Sequence, residues 1–168
     1  RYCCGTSTLA KTTGVPGTDG IRKVEGVALR WARSGADTAA GAEAIAASAL
    51  GGARRTMAAA DAGDAEGALD ALGRVRVLCA HRRGPFGVAW WNQQFEDWLA
   101  GDGVRLLGSY VGRPVLVTAN DAIKDLYNGD LGVVVRHEGT ASVAFPGGDG
   151  PRFVAPARVD AAETVHAM

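Results

Sequence analysis

Hydrophobic and polar residues follow two rhythms along this chain, predicting helices in its first half and mostly strands in its second. Residues 21–73 are rich in alanine and good helix formers, punctuated by glycines where helices would end. Ser34 and Asp37 have capping-box spacing, so a helix is expected from there to about Leu50, stopped by Gly51 and Gly52. A second helix is expected over 53–61, and a third after Asp64, ending at Gly73 with Leu69 and Leu72 on its buried side. Large apolar residues are sparse here, so these helices need a neighbouring surface to lean on; a docking arm for a partner subunit is the functional alternative. Residues 1–20, rich in Thr, Gly and Ser around Pro16, show no periodicity and read as an irregular lead.

The rhythm then changes. Residues 75–80 read as a short strand buried on both faces, as in a parallel sheet. After the turn 81–87, Val88, Trp91, Phe95 and Trp98 or Leu99 recur at helical spacing, giving a helix over 88–100 a greasy face. Trp90 lies off that stripe, where it either stacks on a base or covers the sheet edge. Past a loop at 101–112, residues 115–118 and 132–135 are β-branched and aliphatic runs without charge, hence strands. Strands at 131–137, 141–145 and 152–155, joined by turns at 138–140 and 146–150, make a three-stranded meander too small to stand alone.

Between the strands at 115–118 and 132–135 lies the most informative loop. Ala119-Asn120-Asp121 and Asn128-Gly129-Asp130 are turn-forming clusters, because Asn, Asp and Gly tolerate the left-handed backbone and bond local amides. With Lys124 and Tyr127 it offers hydrogen-bonding groups and one flat ring, suited to holding something polar and extended. Asp121 with Asp125 or Asp130 has the chemistry for a divalent ion, but turn capping is the commoner use of such carboxylates.

Composition narrows the classes. Hydrophobic residues are 47% of the chain, and no apolar run approaches the roughly 20 residues a membrane span needs, so a soluble chain with no membrane partner is expected. Eighteen basic side chains balance 18 acidic ones, so net charge favours neither nucleic acid nor membrane. A local basic patch of Arg74, Arg76, His81, Arg82 and Arg83 does better, the alternative being an ordinary solvated rim. Cys3, Cys4 and Cys79 form neither a disulfide framework nor a C-x-x-C metal spacing, which suits a reduced cytoplasmic compartment. The opening Arg1 fits a fragment of something longer. No catalytic constellation stands out, since His81, His137 and His166 are scattered and no G-x-S-x-G elbow is present. A phosphate-binding P-loop counted from Gly14 would need Gly, Lys and Ser or Thr at positions 19, 20 and 21, where Asp19, Gly20 and Ile21 stand.

Two segments resemble a known family. GRPVLVTANDAIKDLYNGDLGVVV, residues 112–135, is similar to the GRPV-x4-ND and YNGD-x-GVV strand-loop-strand of RecD-like superfamily 1 DNA helicases, the exodeoxyribonuclease V alpha subunits. RVLCAHRRGPFGVAWW, residues 76–91, followed by Asn92, resembles the strand and helix opening their second RecA-like motor domain. The final ETVHAM looks like the lead-in to the family's TVHKSQG motif. The resemblance covers roughly residues 56–168.

The resemblance implies an α/β chain: part of a RecA-like helicase motor domain with an amino-terminal helical segment and an inserted small β-barrel. It divides the chain into an irregular lead at 1–20, a helical segment at 21–73, motor domain at 74–130, barrel at 131–160 and a return to the motor at 161–168. It implies a carboxyl-side fragment of an ATP-dependent 5′ to 3′ helicase subunit, with ATP and Mg2+ bound elsewhere in the parent and none by this fragment. Its partners would be single-stranded DNA and RecB and RecC-type subunits. Arg82 matches the Arg of the family's R-x-G-P motif and is the first candidate for a DNA phosphate contact; Asn92, Asn120, Tyr127 and Asn128 are the others. A partner-independent RecD-like or relaxase-type helicase fragment, or a non-catalytic protein-interaction module, are the alternatives.

Overall fold

A computed structural model describes residues 5–6, 20–24, 27–31 and 39–168 of the chain, with side chains from residue 45 onward. The early elements are β1 (Gly5–Thr6), β2 (Gly20–Val24), β3 (Val27–Trp31), α1 (Ala39–Asp61), α2 (Ala65–Arg74) and β4 (Val77–Leu78). They are followed by α3 (Val88–Gly101), β5 (Pro114–Val117), β6 (Leu131–His137), β7 (Thr140–Phe145), β8 (Arg152–Val154), a 3-10 turn (Pro156–Arg158) and β9 (Ala162–Thr164). The chain is thus a mixture of helices and antiparallel sheet. One sheet has the order β2-β3-β1-β4, the other β8-β7-β6-β5-β9. No helix among the described residues is long and apolar enough to cross a membrane.

The first third departs from its helical expectation. Residues 20–24 and 27–31 pair antiparallel, with Ile21 opposite Arg30 and Lys23 opposite Ala28. Val27, Leu29 and Trp31 alternate with Ala28 and Arg30, a period of two that outweighs the helix propensity of the surrounding alanines. Of the expected irregular lead, Gly5–Thr6 is a strand between β3 and β4; the P-loop comparison at 14–19 and the cap at Ser34 and Asp37 lie outside the described residues.

A second correction concerns Gly51 and Gly52, which do not stop a helix: α1 continues through them to Asp61. A Cβ at Gly52 would stand 3.0 Å from the Val75 Cβ, so the missing side chain lets α1 lie close to the strand entry. That packing offsets the roughly 1 kcal/mol that a glycine costs inside a helix. α2 begins at Asp64, whose carboxylate accepts from the Gly67 amide at 2.9 Å. Its fully buried stripe is Ala65, Ala68 and Ala71, while Leu69 and Leu72 only flank the core.

The run at 75–80 is shorter than expected and not buried on both faces, Val77 being its one buried residue. β4 has two residues, pairs antiparallel with β1, and meets the chain end through a parallel bridge from Val77 to Ala167. α3 follows its expected stripe, with Trp91, Phe95 and Leu99 buried.

The five-stranded sheet is the centre of the fold, and β6 is buried on both sides. Val133 and Val135 pack with Ala60, Ala65 and Ala68 under the helices. Val134 faces the other way, joining Val115, Val117, Leu126, Val143 and Phe145. The period of two sends alternate valines into two separate clusters. β5 joins this sheet, between β6 and β9, instead of the sheet of β4. Gly112 sets its entry: its φ is +86°, and a Cβ there would come within 2.8 Å of the Met57 backbone. That places a left-handed residue against α1, a position open to glycine alone.

Candidate nucleic-acid interface

The loop from Thr118 to Asp130 leaves the carboxyl end of β5 and returns as β6. Its root is tied at both sides: Val117 accepts from the Gly129 amide at 2.9 Å and donates to the Asp130 carbonyl at 2.9 Å. A second rung crosses its middle, where Asp121 and Leu126 exchange backbone hydrogen bonds of 2.7 and 3.0 Å. Leu126, 2% exposed, plugs the core beneath. Between them the chain reverses through Asp125, held at a φ of +54°, which a short polar side chain tolerates.

The acidic side chains cap these turns. Asp121 Oδ1 accepts from the Ile123 and Lys124 amides, each at 3.2 Å, and Asp130 Oδ2 from the Tyr127 amide at 2.9 Å. Lys124 Nζ binds Asp121 at 2.9 Å and Asp160 at 2.7 Å. Its ammonium holds the Asp121 carboxyl below the usual carboxylate range, and the two carboxylates hold the Lys124 amine above its ordinary value. From β8, the Arg152 guanidinium donates to the carbonyls of Lys124 and Asp125 and pairs with the Asp125 carboxylate at 3.2 Å. Among the described residues, no group of three or more His, Cys, Asp or Glu could hold a metal ion.

Three of the five candidate residues meet in this loop. Asn120 Oδ1 accepts from the Asn128 backbone amide at 2.7 Å, so the Asn120 side chain ties its own turn to the facing one. The orientation leaves the Asn120 amide nitrogen as the end turned to donate elsewhere. Tyr127, half exposed, lies beside them. Its hydroxyl bonds the Asp125 carboxylate, which raises the phenol above its ordinary value.

Arg82 and Asn92 lie elsewhere, strung along the closing segment that also touches the loop. Thr118 donates to the Ala161 carbonyl at 2.8 Å. Next but one along β9, Glu163 pairs with the exposed Arg82 at 3.1 Å. Further on, Asn92 clamps Ala167, accepting from its amide at 2.8 Å and donating to its carbonyl at 3.4 Å. Both ends of the Asn92 amide are therefore spent on backbone. Trp90 leans on Phe86, with centroids 4.7 Å apart, and on Trp91 at 5.1 Å, so it packs against the apolar cluster at the sheet edge. Phe86 carries a φ of +59°, a strained setting for a bulky residue, in the turn behind Arg82.

At the same end, His166 is mostly buried. Its Nε2 lies 2.8 Å from the Tyr110 hydroxyl, and its ring stacks on Phe95 at 5.2 Å. Burial first, and the Arg113 charge second, lower its pKa to about 4. Sequence reasoning singled out neither this pair nor Arg152. Arg152 stands on the far edge of the sheet, and nothing in its neighbours signals that it reaches back to the loop.

What emerges is a helix and antiparallel-sheet chain that presents a rigid polar loop at a strand's carboxyl end. No protein-family model matches it. Over 119 residues, 69% of this chain and 21% of the relative, it is 51% identical to the RecBCD enzyme subunit RecD of Mycolicibacterium smegmatis. Over 116 residues, 68% of this chain and 20% of each relative, it is 43% identical to the RecBCD enzyme subunit RecD of two Mycobacterium tuberculosis strains. The chain is RecD-like, as the segments at 76–92 and 112–135 led us to expect, and it spans about a fifth of the length of the curated relatives it matches.

Proposed function

We propose that the chain is the part of an ATP-dependent 5′ to 3′ DNA helicase subunit that grips and releases single-stranded DNA. In this reading the subunit works with RecB and RecC-type partners in a cytoplasmic exonuclease V that processes double-strand ends for repair and recombination. Residues 74–130 and 161–168 belong to the second RecA-like motor domain and 131–160 to a small inserted barrel. ATP and Mg2+ bind elsewhere in the parent, and their turnover moves this grip relative to the rest of the motor.

The observation that carries the reading is the loop at 118–130. Its backbone is pinned from three sides, yet Asn120, Tyr127 and Asn128 stay exposed at its surface. A grip that is rigid before the strand arrives loses little entropy on binding. Arg82 and Arg83, exposed at the carboxyl side of β4, supply phosphate-directed charge. Asn92, with both ends of its amide on the Ala167 backbone, holds the junction and makes no contact to the strand.

Fluorescence anisotropy of a labelled oligonucleotide with this chain, at two salt concentrations, tests the reading. Binding should weaken as salt rises, because phosphate contacts release counterions. No binding at low salt, or binding indifferent to salt, overturns it. The chain alone should show no ATPase activity, and robust turnover would overturn the placement of the ATP site elsewhere.

A further inference from the structure

A cleft of about 110 Å3 opens between the first arm of the loop and the segment entering β9, with Val117, Leu126 and Val159 as its apolar lining and Asn120, Asp121, Arg158 and Asp160 as its polar one. It is much larger than the ~10–15 Å3 that one water requires. The polar groups are not equally available. Asp121 has both oxygens engaged, one by two amides and the other by Lys124. Asp160 gives one oxygen to Lys124 at 2.7 Å and keeps the other. Asn120 has committed its carbonyl to Asn128 and keeps its amino group. Arg158, at the end of the 3-10 turn, has no hydrogen-bond or ion-pair partner for its guanidinium among the described residues.

The free set is therefore one planar cationic donor, one amide donor and one carboxylate acceptor around an apolar floor. A phosphate fits it badly, because two carboxylates line the wall. An aliphatic ligand would leave Arg158 and Asp160 unanswered. A flat ring with acceptors on one edge and donors on the next answers all of them.

We infer that this cleft receives one unstacked guanine of the bound strand, an inference that rests on the single-strand reading above. Guanine presents O6 and N7 as paired acceptors for a guanidinium. Its ring N–H and exocyclic amine are adjacent donors for a carboxylate, and its faces suit Val117, Leu126 and Val159. Thymine carries its two carbonyl acceptors apart, on either side of its ring N–H, so it cannot take the Arg158 guanidinium bidentately. The grip would then hold guanine-bearing stretches longer than others.

The test compares the 168-residue chain binding a labelled all-thymine oligonucleotide with the same oligonucleotide carrying guanines, by anisotropy. Guanine should tighten binding about tenfold, the order of one good bidentate base contact. Arg158→Ala should abolish that preference. Arg158→Lys, which keeps the charge but not the planar fork, should bind both oligonucleotides and prefer neither. Equal affinity for both oligonucleotides overturns the guanine cleft while leaving the DNA grip standing. A preference that survives Arg158→Ala overturns it too, by placing the reader elsewhere. Failure to bind either oligonucleotide removes the single-strand reading and this inference with it.

Discussion

At the Ala167 junction Trp91, Phe95 and Val77 are almost wholly withdrawn from solvent, whereas in the 118–130 loop Leu126 alone is buried and the other contacts are turn caps and ion pairs. Both regions order irregular backbone beside a strand, the junction beside β4 and the loop beside β5. The junction does so by excluding water, which contributes heavily to stability and offers nothing to a ligand. The loop does so with bonds that contribute little to stability and leave polar groups facing outward. Substitutions in the two regions should therefore separate stability from binding.

The largest effect belongs to Trp91, which has no exposed surface. Trp91→Ala should lower unfolding free energy by about 3–5 kcal/mol, the usual cost of emptying a large buried aromatic site. Its Nε1 is buried with no acceptor among the described residues. Trp91→Phe should therefore cost much less, and urea titration of both variants would show it. Equal losses would mean that the indole nitrogen is satisfied after all.

His166 gives the junction a pH dependence. Its pKa is about 4 in the folded chain against 6.5 for the free group. Between those values the unfolded chain binds a proton that the folded chain refuses. Stability is therefore complete above about pH 6.5 and declines as pH falls towards 4, by about 3 kcal/mol in all. His166→Phe keeps a ring against Phe95 and should flatten that slope. An unchanged slope in the variant would place the responsible group elsewhere.

Asn92→Ala comes next. It strips both hydrogen bonds from the Ala167 peptide and should cost about 1–3 kcal/mol, the penalty for leaving such groups unmatched. Because Asn92 serves the junction, the variant's remaining folded fraction should bind single strands as the parent does. A loss of affinity without a loss of stability would return Asn92 to the interface.

The two regions also differ in how far the sequence exposes them. The junction helix was legible, since Trp91, Phe95 and Leu99 repeat at helical spacing and one periodicity decides which side is buried. The turns of the loop were legible for a local reason: the Asn120, Asp121 and Asp130 side chains accept from amides within a few residues or in the facing turn. What could not be read was long-range. Gly51 and Gly52 look like a helix stop until Val75 is placed against them. Arg152 and Asp160 look like surface charges until the sheet brings them to the loop. β2 and β3 were missed because alanine-rich neighbours drowned a short alternation.

The smallest expected effect on stability is the most telling for the comparison. Arg152 is about two thirds covered and joins two carbonyls and a carboxylate of the loop to β8. Arg152→Ala removes a surface ion pair and some stem packing, so unfolding free energy should move by only about 1 kcal/mol or less. The loop backbone would nevertheless lose one of its three anchors. Hydrogen exchange at the Leu126 and Gly129 amides should quicken while exchange in β6 stays unchanged, because opening is then local. Single-strand affinity should fall at the same time, since the strand must now order the loop. If Arg152→Ala instead lowers stability as much as Trp91→Ala, the loop is part of the core, and the division between a region that holds the fold and a region that meets the ligand is wrong.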